Sequence, residues 1–203
     1  MSPIGTPVPG AFPLTSVARL PNVTIAYPGE RWSDRKASGV IAPGTAVVPV
    51  ASGGKLLMRA ATTGDAVTQM AVASRTIDVP DINPGSIYQE ALGPNEIRNL
   101  PIQNGDYILA LYSGALILTL INPDTYNPGD LIGWIPGAAV PTGKPTSATA
   151  GSGVSGSWGK MTSPAGGGTP IGPLFEVTLW RPVNSAGTEG LLNVRSLRGQ
   201  GPF

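Results

Sequence analysis

The sequence predicts an all-β protein, an antiparallel β-sandwich or barrel, and three observations support this. Glycine and proline are abundant: 28 glycines and 22 prolines make up about a quarter of the 203 residues. Hydrophobic residues still reach 41%, and they occur in short runs that glycine and proline interrupt. Antiparallel strands joined by tight turns produce such a pattern. A helix is hard to place, and residues 87–92 would form one turn at most.

The clearest hairpin signal lies near the start of the predicted core. Residues 46–50 and 55–60 flank a Ser-Gly-Gly turn, which is typical of two antiparallel strands. Pro49 marks the first of them as an edge or bulged strand, because proline cannot donate to a neighbouring strand.

The longest apolar run, residues 107–121, predicts the best-buried strands. It is too long for an ordinary single strand, so we predict a hairpin that turns at Ser113 and Gly114. Shorter strands are predicted at residues 66–73, 131–135, 158–161 and 174–180.

The chain divides into three predicted segments. Residues 1–38 form an extended, Pro-rich N-terminal arm, because proline disfavours helix in the residue before it. Residues 39–183 form the β-rich core, which includes a long Gly/Ser/Pro-rich loop at 137–172. Residues 184–203 form a C-terminal tail. The arm carries many apolar side chains and therefore needs a surface, either its own core or a neighbouring subunit.

The composition argues against most catalytic and nucleic-acid-binding classes. The chain has no histidine and no cysteine, so the common zinc sites, Ser-His-Asp triads and Cys-His dyads cannot be built. A net charge of +1 without a Lys/Arg cluster gives no field to hold a polyanion. We therefore expect no enzyme, no cofactor, no metal site and no direct contact with nucleic acid.

The sequence also predicts no membrane association. Residues 1–28 lack a basic start and are interrupted by prolines, so we expect no signal peptide. The apolar run at 107–121 is shorter than the roughly 20 residues that span a bilayer. We expect a soluble protein made in a cytoplasm.

Paired carboxylates are the remaining candidates for chemistry, since glycosidases need only two of them. Asp78 with Asp81 and Glu90 with Glu96 both lie in turn-rich stretches, where acidic residues serve turn geometry. Asp65, Asp106, Asp124 and Asp130 also adjoin Gly or Pro turns. The G-x-G-x-x-G spacing at 151–156 lacks the strand and helix that a dinucleotide site requires.

A protein interface is the better candidate site. Residues 30–36 are charge-dense around a tryptophan, which indicates either a solvated turn or a contact patch of Arg31, Trp32 and Arg35. The apolar residues of the arm would add to such an interface: Phe12, Leu14, Val23, Ile25 and Tyr27.

Two features together point to a family. A Pro-Gly turn followed by a strand occurs at residues 43–47 and again at 128–132. The elements around these turns include residues 64–73, an Asn-Gly-Asp turn before residues 107–108, and residues 171–176 leading to a late strand. Over residues 39–180 this layout resembles the small β-rich decoration, or cement, proteins that coat the capsids of tailed bacteriophages.

The resemblance implies a structural role without a catalytic residue. Such proteins bind the outer surface of the shell at symmetry axes and cross-link capsomers. The expected partners are the major capsid protein and further copies of the same chain, with a trimer favoured over a dimer. The expected location is the outer capsid surface of a virion.

Two other interpretations stay open at this point. A phage tail, fibre or adhesin module could bind host carbohydrate through Trp134, Trp158 and the Gly/Ser-rich loop. A β-rich hydrolase could use the carboxylates of Asp78, Asp81, Glu90 and Glu96.

Overall fold

A computed structural model of the protein describes residues 22–75, 100–121, 126–137, 156–162, 169–183 and 189–198. These residues form eleven strands and one 3₁₀ turn, Val67–Gln69, and they contain no α-helix. The all-β prediction is confirmed. The strands build two structures, a six-stranded sheet and a closed five-stranded barrel.

The sheet has the strand order β1-β7-β11-β10-β8-β9, and all its neighbours run antiparallel. Its strands are β1 (Val23–Pro28), β7 (Gly114–Ile121), β8 (Leu131–Pro136), β9 (Gly156–Lys160), β10 (Ile171–Pro182) and β11 (Glu189–Ser196).

The barrel has the order β2-β4-β3-β5-β6 and closes where β6 pairs with β2. Its strands are β2 (Arg31–Ala37), β3 (Ala46–Ser52), β4 (Lys55–Ala60), β5 (Ala71–Arg75) and β6 (Tyr107–Leu111). The β3–β4 hairpin is confirmed. Only Ala46 and Val47 of β3 pair with β5, and Pro49 lies beyond them. The missing N–H of Pro49 therefore costs no hydrogen bond to β5.

One long two-stranded ribbon connects the sheet to the barrel. β1 continues into β2 along one strand of the ribbon, and β6 continues into β7 along the other, antiparallel strand. The register runs through both halves: Val23 opposite Leu118, Tyr27 opposite Ala115, Arg31 opposite Leu111 and Lys36 opposite Tyr107.

The predicted hairpin at Ser113 and Gly114 is therefore wrong. β6 and β7 lie in different structures and share β1–β2 as their partner. Leu118 of β7 packs between barrel and sheet, whereas β6 faces both cores, with Ile108 inside the barrel and Leu111 between barrel and sheet. Gly114 has a φ of +102°, so the predicted break in the strand is present, but it bends the chain between two structures and does not reverse it.

Two hydrophobic cores result. The barrel core contains mainly small and β-branched side chains: Ala37, Ile41, Val47, Met58, Ala71, Ala73, Ile102, Ile108 and Ala110. The intersheet core lies where the sheet packs against the barrel, and its largest fully buried side chains are Trp134, Trp158, Met70, Leu116, Leu118, Leu120, Ile132 and Leu192. Because this second core draws on strands of both structures, sheet and barrel are packed as one body.

Parts of the predicted arm, tail and loop belong to strands of the described structure. Of the predicted arm, residues 23–37 form β1 and β2 within the ribbon. Of the predicted tail, β11 lies in the middle of the sheet between β7 and β10. Its alternation of buried Leu192 and Val194 with Asn193 and Arg195 is the signal of a half-buried strand that was overlooked in the sequence. Inside the predicted loop, the short strand predicted at residues 158–161 is present as β9 at the sheet edge.

Candidate interaction surface

Three turn aspartates share one local structure. In the turns that end at Asp65, Asp106 and Asp130, the backbone N–H three residues earlier donates to the carboxylate, at 2.7, 3.1 and 2.7 Å. The residue before each aspartate is a glycine with positive φ. The turn role predicted for these three residues is confirmed, and their carboxylates are engaged in local hydrogen bonds.

Two of these carboxylates also form ion pairs with basic side chains. Arg59 donates to both oxygens of Asp65 at 2.8 and 2.7 Å, and this hydrogen bonding lowers the pKa of the carboxyl below its usual range. Burial pushes the pKa of Asp130 upward, but hydrogen bonds from Lys160, whose Nζ lies 2.8 Å away, and from a backbone N–H outweigh it, so that pKa is also lowered. Both aspartates are therefore ionised at neutral pH and stabilise their turns through these contacts.

The other acidic candidates cannot be placed. Asp78, Asp81, Glu90, Glu96 and Asp124 lie outside the described residues. Within the residues that the structure does describe, there is no group of three or more acidic side chains that could hold a metal ion. The same part of the chain contains no helix that is long and apolar enough to cross a membrane.

Trp134 and Trp158 are not surface residues. Their exposed fractions are 1% and 0%, and their rings meet edge to face at 5.1 Å. The indole N–H of Trp158 donates to the Gly44 carbonyl of the barrel at 2.9 Å, and that of Trp134 donates to the Ala61 carbonyl at 3.4 Å. The prediction that they form a carbohydrate-binding surface is wrong, because both rings join the sheet to the barrel.

An arginine–aromatic row lies on the barrel half of the ribbon. The rings of Trp32 and Tyr112 are 4.2 Å apart, the guanidinium of Arg35 lies 5.4 Å from the Trp32 ring centre, and that of Arg198 lies 5.2 Å from the Tyr112 ring centre. The order along the row is thus Arg35, Trp32, Tyr112, Arg198. All four side chains are partly exposed.

Sequence reasoning found only half of this row. Trp32 and Arg35 were predicted together, and β2 places them in contact in a strand, not in the solvated turn that was the alternative. Arg31 is exposed at the start of the same strand. Tyr112 and Arg198 were missed, because they are distant in the sequence and only the ribbon and the end of β11 bring them to Trp32.

Hydrogen bonds to the barrel hold the second half of the row. The Tyr112 hydroxyl donates to the Gln69 carbonyl at 2.8 Å, and Arg198 donates to the Met70 carbonyl. Burial raises the pKa of the Tyr112 hydroxyl and lowers that of the Arg198 guanidinium. Tyr112 and Arg198 are therefore preorganised and lose little freedom when a partner binds, and Tyr112 in turn supports the Trp32 ring that it contacts.

The predicted apolar interface residues continue from the row along the ribbon into β1. Val23 is buried, Ile25 packs against the intersheet core, and Tyr27 is 70% exposed. Phe12 and Leu14 lie outside the described residues. We call the side of residues 23–35 that faces away from β6 and β7 the ribbon edge.

The ribbon edge is open along the described part of the chain. β1 pairs only with β7, and β2 meets its second neighbour, β4, only at Lys36 and Ala37. An unpaired strand edge presents backbone donors and acceptors to any extended segment that reaches it. The arginine–aromatic row and the ribbon edge together form the candidate interaction surface.

Comparison of the chain with models of protein families, with curated proteins and with solved structures finds no match.

Proposed function

We propose that the protein is a structural virion protein that binds the outer surface of a tailed-bacteriophage capsid and stabilises the shell by cross-linking capsomers. One observation carries the proposal: an open strand edge and an arginine–aromatic row lie on the same ribbon of an all-β body. Tryptophan, tyrosine and arginine are the residues most enriched in the energetic centres of protein interfaces. The major capsid protein is the proposed partner.

The surface offers two kinds of contact. Along β2, the ribbon edge can pair with an extended segment of the capsid protein through backbone hydrogen bonds. Arg35 and the exposed Arg31 can pair with carboxylates, and Trp32 supplies apolar contact area between them. No catalytic group is required for this role.

Binding of this kind stabilises a shell by mass action. A protein that binds only the assembled shell adds about 2.7 kcal/mol per site at a hundredfold excess over Kd. A protein that touches more than one capsomer gains further, because its second contact forms at a high effective concentration.

The direct test is to incubate the purified protein with undecorated shells of the tailed phage whose genome carries this sequence, and to image them by electron cryomicroscopy. We expect ordered extra density at symmetry axes of the outer surface. The double variant Trp32→Ala/Arg35→Ala should lose this density, whereas Leu179→Ala, which changes an exposed residue of β10, should retain it.

Shells without extra density at saturating protein would contradict the proposal. So would equal loss in the Leu179→Ala control, because it would show that binding does not use the ribbon surface. Specific binding on a glycan array without binding to shells would favour the carbohydrate-binding alternative.

A further inference from the structure

The sheet half of the ribbon edge, β1, has properties that suit pairing with a second copy of itself. We propose that two protein molecules associate through β1, with the two strands antiparallel about a two-fold axis, so that two six-stranded sheets become one continuous sheet. This contact is separate from the proposed capsid contact, which uses the arginine–aromatic row and the β2 half of the ribbon edge.

The first requirement is an available backbone. The Thr119 N–H donates to the Asn22 carbonyl at 3.0 Å, so the backbone groups of Asn22 face β7. Because backbone groups alternate sides along a strand, those of Val23 face away from β7. Within the described residues no strand lies on that side of β1.

The second requirement is the absence of features that block self-pairing. Natural sheet edges are protected from pairing with other chains by charged side chains, prolines and bulges. β1 has the sequence VTIAYP, without a charge, and its bulge and proline affect only its second half. Val23, Thr24 and Ile25 are β-branched residues that favour strand pairing.

The other free edges described in this molecule are different. The β2 half of the ribbon edge carries alternating charges: Glu30, Arg31, Asp34, Arg35 and Lys36. At the opposite edge of the sheet, β9 ends at Lys160, which is held by Asp130. A second copy pairing at β2 would bring charged groups together, whereas pairing at β1 brings together none. Because β1 lacks such charges, it is the described edge that is least protected against pairing with a second copy.

The geometry leaves the proposed capsid contact free. In an antiparallel pair of β1 strands, the two β2 segments extend beyond the pair in opposite directions. Each arginine–aromatic row therefore stays exposed at one end of the dimer. A dimer arranged in this way presents two identical surfaces.

The interface is small. The bulge between Ile25 and Tyr27 shortens the regular pairing, and six residues of strand bury much less than the roughly 1,200 Å² typical of stable protein complexes. We therefore expect weak dimerisation in dilute solution that strengthens when molecules are held close together. The exposed Tyr27 would become buried in the dimer.

Sedimentation velocity over a wide concentration range tests this proposal. The wild-type protein should shift from monomer to dimer as its concentration rises. Two charged double variants, Thr24→Lys/Tyr27→Lys and Thr24→Glu/Tyr27→Glu, alter exposed β1 side chains without touching the core. Each variant alone should dimerise at least about tenfold more weakly than wild type, because like charges face each other.

An equimolar mixture of the two double variants should restore dimerisation, because lysine then faces glutamate. Leu179→Lys, which places the same charge on an exposed residue of β10, should dimerise like wild type. Circular dichroism and thermal unfolding of each variant show whether it is folded.

Three results would overturn the proposal: a wild-type protein that stays monomeric at every concentration, charged β1 variants that associate like wild type, or a mixture that does not recover. A trimer, which the resemblance favours, would also overturn the two-fold arrangement if its assembly is unaffected by charges on β1. Capsid binding by a protein that stays monomeric would leave the proposed function intact, so the two proposals fail separately.

Discussion

At the scale of single residues, the turn aspartates link sequence, electrostatics and stability. Each follows a glycine that adopts positive φ, and each accepts a hydrogen bond from a backbone N–H at the start of its own turn. Asp65 and Asp130 have lowered pKa values, so the folded state binds protons less readily than the unfolded chain. Linkage then requires that acid destabilises the fold.

We predict that these two carboxylates contribute stability above the unfolded pKa of about 3.9, and that this contribution is lost as the pH falls through their lower folded pKa values. Asp65→Asn should cost about 1 kcal/mol at neutral pH and flatten the acid dependence. Urea unfolding between neutral pH and about pH 3 measures both effects.

Asp34→Asn is the matched control. The Asp34 side chain is 68% exposed, and its partner within the described residues is its neighbour Arg35, so its removal should change stability little. Equal acid dependence in wild type and Asp65→Asn would show that the Asp65 pair does not carry the effect.

At this scale, the sequence predicts the contacts of a residue correctly where its partners are close in the chain. The turn role of Asp65, Asp106 and Asp130 follows from neighbouring residues, and the structure confirms it. The contact of Trp32 with Tyr112 depends on the pairing of strands far apart in the chain. Local composition carries no signal for such a contact, and the burial of Trp134 was missed for the same reason.

At the scale of elements, the ribbon depends on two glycines where it passes from sheet to barrel. A Cβ at Gly29 would lie 2.3 Å from the Ser113 carbonyl carbon, and a Cβ at Gly114 would lie 2.5 Å from the Tyr27 carbonyl oxygen. A backbone hydrogen bond joins the two strands of the ribbon here, since the Tyr112 N–H donates to the Glu30 carbonyl at 2.8 Å. Only residues without a Cβ permit this approach.

We predict that Gly114→Ala is strongly destabilising, because it adds a backbone clash to the strain of a positive φ. Gly54→Ala is the control, because Gly54 has a φ of +73° but open space around it. The loss of stability in Gly54→Ala, about 1 kcal/mol, therefore measures the backbone strain alone. Urea unfolding should place Gly114→Ala well below Gly54→Ala in stability. Equal losses of stability in the two variants would contradict the close approach of the two ribbon strands at Gly114.

Element prediction succeeded where turn chemistry is decisive. The Gly-Gly turn correctly predicted the β3–β4 hairpin. The same reasoning failed at Ser113 and Gly114, because a glycine break is compatible with a reversal or with a bend. Which of the two forms depends on the distant partners β1–β2 and β11, which local sequence does not name.

At the scale of the whole molecule, Trp134 and Trp158 join sheet and barrel. Their rings lie in the intersheet core, and their indole N–H groups donate to barrel carbonyls. A single body of this kind should unfold in one cooperative transition. Circular dichroism and tryptophan fluorescence should then give coincident urea curves.

We predict that Trp158→Phe costs about 2–3 kcal/mol, because it removes buried volume and leaves the Gly44 carbonyl without the indole donor. Trp32→Phe, at a half-buried position of the row, should cost less. Two separate transitions in the wild-type protein, or equal losses in the two variants, would contradict the joining role of Trp158.

The thermal stability of undecorated phage shells, with and without saturating protein, tests the central claim most directly. Binding and cross-linking of capsomers predict that wild-type protein raises the temperature at which the shells rupture. Trp32→Ala/Arg35→Ala should raise it much less than Leu179→Ala does. Shells that rupture at the same temperature with and without the wild-type protein would contradict the proposed capsid-stabilising function.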